Sequence, residues 1–154
     1  MKKLIPLFFI LSNLSFSQYL KEKEILGELP KDNIYILDSV KTRPEHFPTT
    51  GTSFMQISDD YAIFVMNYRG TNYSVSGKIN NPLVKVYDGD TVDVFTMITD
   101  TRYNNSAGER YFFGISKNFK KNGNLYILNQ PKSPEYYINA HYATNEEIDK
   151  LLAN

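Results

Sequence analysis

Cysteine and tryptophan are both absent from these 154 residues, histidine occurs twice, and 17 basic residues balance 17 acidic ones. Without cysteine there is no disulfide framework, no thiolate metal site and no thiol nucleophile. The lipidated cysteine of a bacterial lipoprotein leader is missing too, so a lipid anchor is not indicated. The one basic cluster, Lys117, Lys120 and Lys121, sits beside a turn and is too small to form a nucleic-acid face. No apolar run approaches the roughly 20 residues that cross a bilayer as a helix. No Gly-x-Ser-x-Gly elbow, His-Glu-x-x-His pair or glycine-rich phosphate loop occurs. His46 and His141 are 95 positions apart, and nothing in the sequence brings them to a shared carboxylate, so neither metal nor cofactor is expected. A carboxylate pair of the glycosidase kind has no spacing signature. No catalytic residue is assigned, and the chain is read as a non-enzyme.

The longest apolar run, Leu4 to Leu11, follows Lys2 and Lys3 and precedes small residues at Ser15 and Ser17. That is the layout of a secretory signal peptide. The expected leader is 1–17, with cleavage between Ser17 and Gln18 and a single domain over 18–154. The mature protein is then secreted or periplasmic, has no membrane span, and carries 15 basic residues against 17 acidic.

Behind the leader, short segments rich in Val, Ile, Tyr, Phe and Thr are separated by Gly, Asn, Asp and Pro, the pattern of an antiparallel all-β domain. Strands are expected over 33–40, 52–58, 61–68, 72–79, 83–87, 91–99, 110–116 and 124–129. In 72–79, Tyr73, Val75, Gly77 and Ile79 share one face and polar residues share the other. Residues 61–68 are apolar on both faces, which places this strand centrally or under a covering segment. Arg69-Gly70 and Asn122-Gly123 read as hairpin turns. A meander of about eight such strands closes naturally into a barrel; a β-sandwich is the alternative.

Three aspartates crowd the stretch Val86-Tyr-Asp-Gly-Asp-Thr-Val-Asp93. A calcium loop would need glycine sixth and glutamate twelfth, whereas here glycine is second and Thr99 is twelfth. Asp88-Gly89 instead reads as a two-residue hairpin turn, with Asp90 and Asp93 as turn and surface residues. Asp90-Thr91-Val92 and Asp38-Ser39-Val40 also resemble the short Asp-Ser/Thr-aliphatic pattern of bacterial O-glycosylation, which marks Thr91 and Ser39 as candidate modification sites.

Residues 41–51, bracketed by Pro44 and Pro48, read as a long ordered loop, and its Glu45, His46 and Phe47 are candidate binding residues. Residues 100–109 form a polar counterpart. Thr144-Asn-Glu-Glu147 is a capping box that opens a helix over 144–153, with Ile148, Leu151 and Leu152 as its apolar stripe. A further short helix is expected over 18–29.

The eight-strand meander, the long loop after the first strand and the C-terminal helix together resemble the lipocalin-like (calycin) barrels. Phe54-Met-Gln-Ile-Ser-Asp-Asp-Tyr-Ala-Ile-Phe-Val followed by Thr71-Asn-Tyr-Ser-Val-Ser-Gly-Lys-Ile is similar in texture to the bacterial members. The Gly-x-Trp signature of that family is absent. Phe64, Tyr73, Val94 and Phe113 are expected to point inward, each lying on the more apolar or aromatic side of its alternation. All 12 tyrosines and seven of the ten phenylalanines fall after the leader. Such aromatics suit a ligand cavity, although core packing and cross-strand pairing are the plainer reading. Two functions are carried forward. One is a binding protein whose interior takes a small apolar or amphipathic ligand; the other is an interaction module for an unidentified protein, of inhibitor or immunity type.

Overall fold

The computed structural model describes residues 34–42, 45–58, 60–100, 107–128 and 134–153. The expected leader, the Ser17–Gln18 cleavage point and the helix over 18–29 lie outside the described residues. Among the described residues there are ten strands: β1 (Ile34–Thr42), β2 (Glu45–Pro48), β3 (Phe54–Ile57), β4 (Tyr61–Tyr68), β5 (Thr71–Ile79), β6 (Leu83–Tyr87), β7 (Asp90–Thr99), β8 (Arg110–Ser116), β9 (Asn124–Leu128) and β10 (Pro134–Tyr142). A one-turn helix, α1 (Phe119–Asn122), joins β8 to β9, and α2 (Asn145–Ala153) follows β10.

The strands pair antiparallel in the order β10-β9-β8-β7-β5-β4-β3-β1, and β10 then pairs with β1 to close a ring. The ring is uneven. β4 and β5 pair along their whole length, from Tyr61↔Lys78 to Tyr68↔Thr71, whereas β5 meets β7 only at Gly77, Lys78 and Ile79. β6 lies off the ring because it is the bent continuation of β5 along the same partner. Ile79 opposes Met97, the Asn80 N–H donates to the Thr96 carbonyl at 3.1 Å, and Leu83 opposes Val94. Pro82, which has no N–H to give, marks the break.

Turn chemistry fixes the hairpins. Asp88 and Gly89 both have positive φ, +49° and +84°, as the expected turn between β6 and β7 requires. Arg69 and Gly70 do the same between β4 and β5. At Asn122-Gly123 the expected two-residue turn gives way to α1. Burying Phe119 decides this: its ring packs edge-on against Tyr35 and Tyr142, at centroid distances of 5.0 and 4.9 Å.

Two strands were not legible. Residues 45–48 pair with β1, Val40 opposing Phe47 and Lys41 opposing His46, so the expected loop 41–51 contains a strand. This strand pairs on one side only among the described residues, where Pro48 costs no ladder hydrogen bond. The second is β10, the strand that closes the ring. Eight strands form the ring as expected, but β10 takes the place assigned to 83–87.

Three apolar clusters follow from this topology. Inside the ring sit Tyr35, Leu37, Met55, Phe64, Met66, Met97, Phe113, Leu125 and Ile138. Outside β1, β3 and β4, Ile34, Phe54, Ile63 and Val65 lie beneath Ile148, Leu151 and Leu152 of α2. That explains why 61–68 is apolar on both faces. The expected capping box forms: the Thr144 N–H donates to Glu147 Oε2 at 2.8 Å, and the Glu147 N–H donates to Thr144 Oγ1 at 3.3 Å. The third cluster packs Tyr87, Val92, Val94, Tyr126 and Leu128 on the outer face of β7 to β9. There Asp90 is more than a turn residue. Its carboxylate accepts hydrogen bonds from Ser116 Oγ (2.7 Å), Tyr126 Oη (2.5 Å) and, at 3.4 Å, the Asn122 and Asn124 side-chain amides. Burial, followed by that hydrogen bond to Asp90, pushes the Tyr126 hydroxyl above the ordinary tyrosine range.

Candidate functional site: a cavity at one end of the ring

A cavity of about 490 Å³ opens at the end of the ring where β4 turns into β5 and where β8 and β10 begin. Period-two alternation delivers its walls. Phe64 and Met66 of β4, Met97 of β7 and Phe113 of β8 are buried, and Val75 of β5 and Ile127 of β9 are half-buried. Phe95 stacks on Phe113 with centroids 5.2 Å apart and fixes that ring in place. The rim is polar and aromatic: Tyr68, Asn72, Tyr73, Ser74, Arg110, Tyr111, Glu135 and Tyr136. Tyr136 belongs to β10, across the ring from Tyr68 and Tyr73. Burial raises the Tyr136 hydroxyl pKa above its ordinary value, and the charges of Glu135, Tyr73 and Tyr68 add to the rise.

The sequence-predicted residues divide. Phe64 and Phe113 are buried walls, and Tyr73, 47% exposed, stands at the rim. Val94 does not face the cavity. It is 4% exposed in the outer cluster with Val92, Tyr87 and Tyr126, while Phe95 and Met97 take the inward side of β7. The outer cluster buries that second face, so both faces of β7 are apolar and alternation alone could not choose between them. Of the loop candidates, Glu45 and His46 are exposed on β2. Phe47 packs edge-on against the rim residue Tyr68 at 5.6 Å and lies under the Arg69 guanidinium at 4.7 Å. The β2 hairpin thus borders the cavity through Phe47. Ser39 and Thr91 are half-buried within β1 and β7, and Ser39 is paired on both sides, with Pro48 and Asn139.

Met66, Tyr68, Met97, Ile127, Arg110, Glu135 and Tyr136 went unassigned. Met66 and Tyr68 continue the alternation begun by Phe64, so the signal for them was present. Glu135 and Tyr136 lie on the strand that was not foreseen.

A second polar cluster lies on the outer surface. His141 contacts Asp38 through Nδ1 at 2.8 Å and Glu147 through Nε2 at 3.0 Å, joining β10 to β1 and to α2. Burial opposes a charged imidazole here, but the two carboxylates outweigh it and the His141 pKa is raised. His46 is not part of this cluster. Among the described residues no three His, Asp or Glu side chains converge as a metal site, since the two carboxylates grip opposite nitrogens of the ring. The cavity presents hydrogen-bonding and charged groups around an apolar interior. No protein-family model matches the chain, and neither do any curated protein or solved structure.

Proposed function

We propose that this is an exported binding protein of lipocalin-like design that takes a small amphipathic ligand in the cavity at the end of its ring. The observation that carries the reading is the cavity itself. Its volume falls within the roughly 300–1,000 Å³ common for small-molecule sites, and its apolar walls end in a polar rim. A ring of eight strands has an interior just wide enough to be filled by side chains or to hold one small ligand. Part of this one is left unfilled.

The test uses N-phenyl-1-naphthylamine, an uncharged dye that fluoresces in apolar surroundings. Saturable binding is expected, with affinity falling about tenfold or more in Phe113→Ala and by less in Tyr73→Ala, both variants keeping the wild-type circular dichroism. Absence of binding, or binding indifferent to both substitutions, would move the ligand out of this cavity. Export is proposed with it: mass spectrometry of protein recovered outside the cytoplasm should give an N-terminus at Gln18, and an intact Met1 there would refute it.

A second reading, an interaction module, is favoured by one feature. Leu83, Val84 and Val86 of β6 are 61%, 58% and 65% exposed, on a strand that pairs only with β7 among the described residues. An apolar strand edge of this kind is a template for pairing with another chain, although Lys85 in its middle is the sort of residue that discourages it. This reading leads if the cavity binds nothing.

A further inference from the structure

We infer that the molecule held in the cavity is a zwitterionic amphiphile, with an apolar chain against the walls and charges of both signs at the rim. The inference rests on the cavity-binding reading above and adds the chemistry of the head group.

Two ionisable side chains of opposite sign line the cavity, Arg110 at the start of β8 and Glu135 on β10. Both are exposed, and among the described residues neither forms an ion pair. Elsewhere on this surface, neighbouring opposite charges do pair: Lys117 with Asp93 and Lys150 with Glu146, both at 2.9 Å. Arg110 and Glu135 both line the cavity, on strands separated by β9.

That arrangement selects by charge. A simple anion is drawn to Arg110 and repelled by Glu135, and a simple cation meets the reverse. A head carrying both charges gains from both. The guanidinium offers a planar fork of donors suited to a phosphate or carboxylate. Glu135 shares the lining with Tyr136, Tyr68 and Tyr73, whose ring faces attract a quaternary ammonium. The tyrosine hydroxyls serve either half as hydrogen-bond partners.

The experiment displaces bound N-phenyl-1-naphthylamine with four ligands sharing one decyl chain, all below their micelle concentrations: decanol, decanoate, decyltrimethylammonium and decylphosphocholine. Decylphosphocholine is expected to displace the dye at a concentration about tenfold below each of the others. Arg110→Gln and Glu135→Gln should each remove that advantage while leaving decanol within about twofold, since an uncharged head meets neither charge. Equal displacement by decanol and decylphosphocholine would overturn the inference, and so would variants that shift all four ligands alike. A preference for decanoate that the added ammonium does not improve would overturn it as well. These outcomes leave the cavity reading standing, because the dye still binds. A dye that never binds would remove the cavity reading and this inference together.

Discussion

Gly77→Ala is expected to destabilise the protein by about 3 kcal/mol or more, at or above the upper end of what overpacking a core usually costs. Gly77 lies near the end of β5, opposite Thr99 of β7. A Cβ at this position would stand 2.0 Å from the Ile98 carbonyl oxygen, 2.7 Å from its carbon and 2.8 Å from Thr99 Cα. All three are backbone atoms, so no rotamer change relieves the clash and the strands must separate. They would separate at one of the short seams of the ring, where Gly77, Lys78 and Ile79 pair β5 with β7. Against a total stability of roughly 5–15 kcal/mol, that loss is large. Gly114→Ala is the matched control. Its added Cβ would meet Val92 Cγ1 at 2.5 Å, a side-chain methyl and not backbone, so a smaller loss is expected. Urea unfolding of the two variants checks both statements. A Gly77→Ala midpoint equal to wild type would show that β5 and β7 are not held this closely.

The same seam shows why some of the fold was legible and some was not. Local rules were sufficient wherever one stretch of sequence contained its own answer. Asp88-Gly89 turned as expected because the turn needs positive φ and both residues tolerate it, and at Arg69-Gly70 the glycine supplies the same freedom. The capping box at Thr144 and Glu147 started α2 for the same reason. β10 was hidden because Pro134, Asn139 and Ala140 are poor strand formers, and because its second partner, β1, lies at the far end of the described chain. Closing the ring is a long-range event, and no local pattern announces it.

The site divides along the same line. Phe113 could be found because it lies on the more apolar or aromatic side of an alternation that the ring then turned inward, and Phe64 lies on the inward face of a strand that is apolar on both. Val94 misled because β7 is apolar on both faces, and only the outer cluster of Tyr87 and Tyr126 reveals which face is which. Arg110 and Glu135 had no signal at all. Each is an ordinary surface charge in sequence, and their relation exists only because β8, β9 and β10 lie side by side.

Phe119→Ala should cost about 3 kcal/mol, yet leave dye affinity within about twofold of wild type. Phe119 is the anchor of α1, at the end of the ring opposite the cavity mouth: β8 begins at the mouth with Arg110 and runs through Ser116 to this turn. The side chain is buried in the interior cluster, edge-on to Tyr35 and Tyr142 with interplanar angles of 84° and 78°. Removing it deletes two aromatic contacts and leaves a void. Truncating a buried phenylalanine generally costs about 3–5 kcal/mol, and the lower figure applies because the half-exposed Tyr142 has room to move in. Phe119→Leu, which keeps most of the apolar volume, should lose less than half as much. Phe119 does not line the cavity, so the binding walls should survive in the folded fraction. Phe113→Ala makes the contrast, because Phe113 belongs to the core and to the cavity wall and should lose both stability and dye affinity. Thermal melts and dye titrations on the three variants separate the cases. A wild-type melting temperature for Phe119→Ala would mean that α1 does not seal its end of the ring. A folded Phe119→Ala protein that no longer binds dye would mean that the binding space runs the full length of the interior, and that its floor is part of the site.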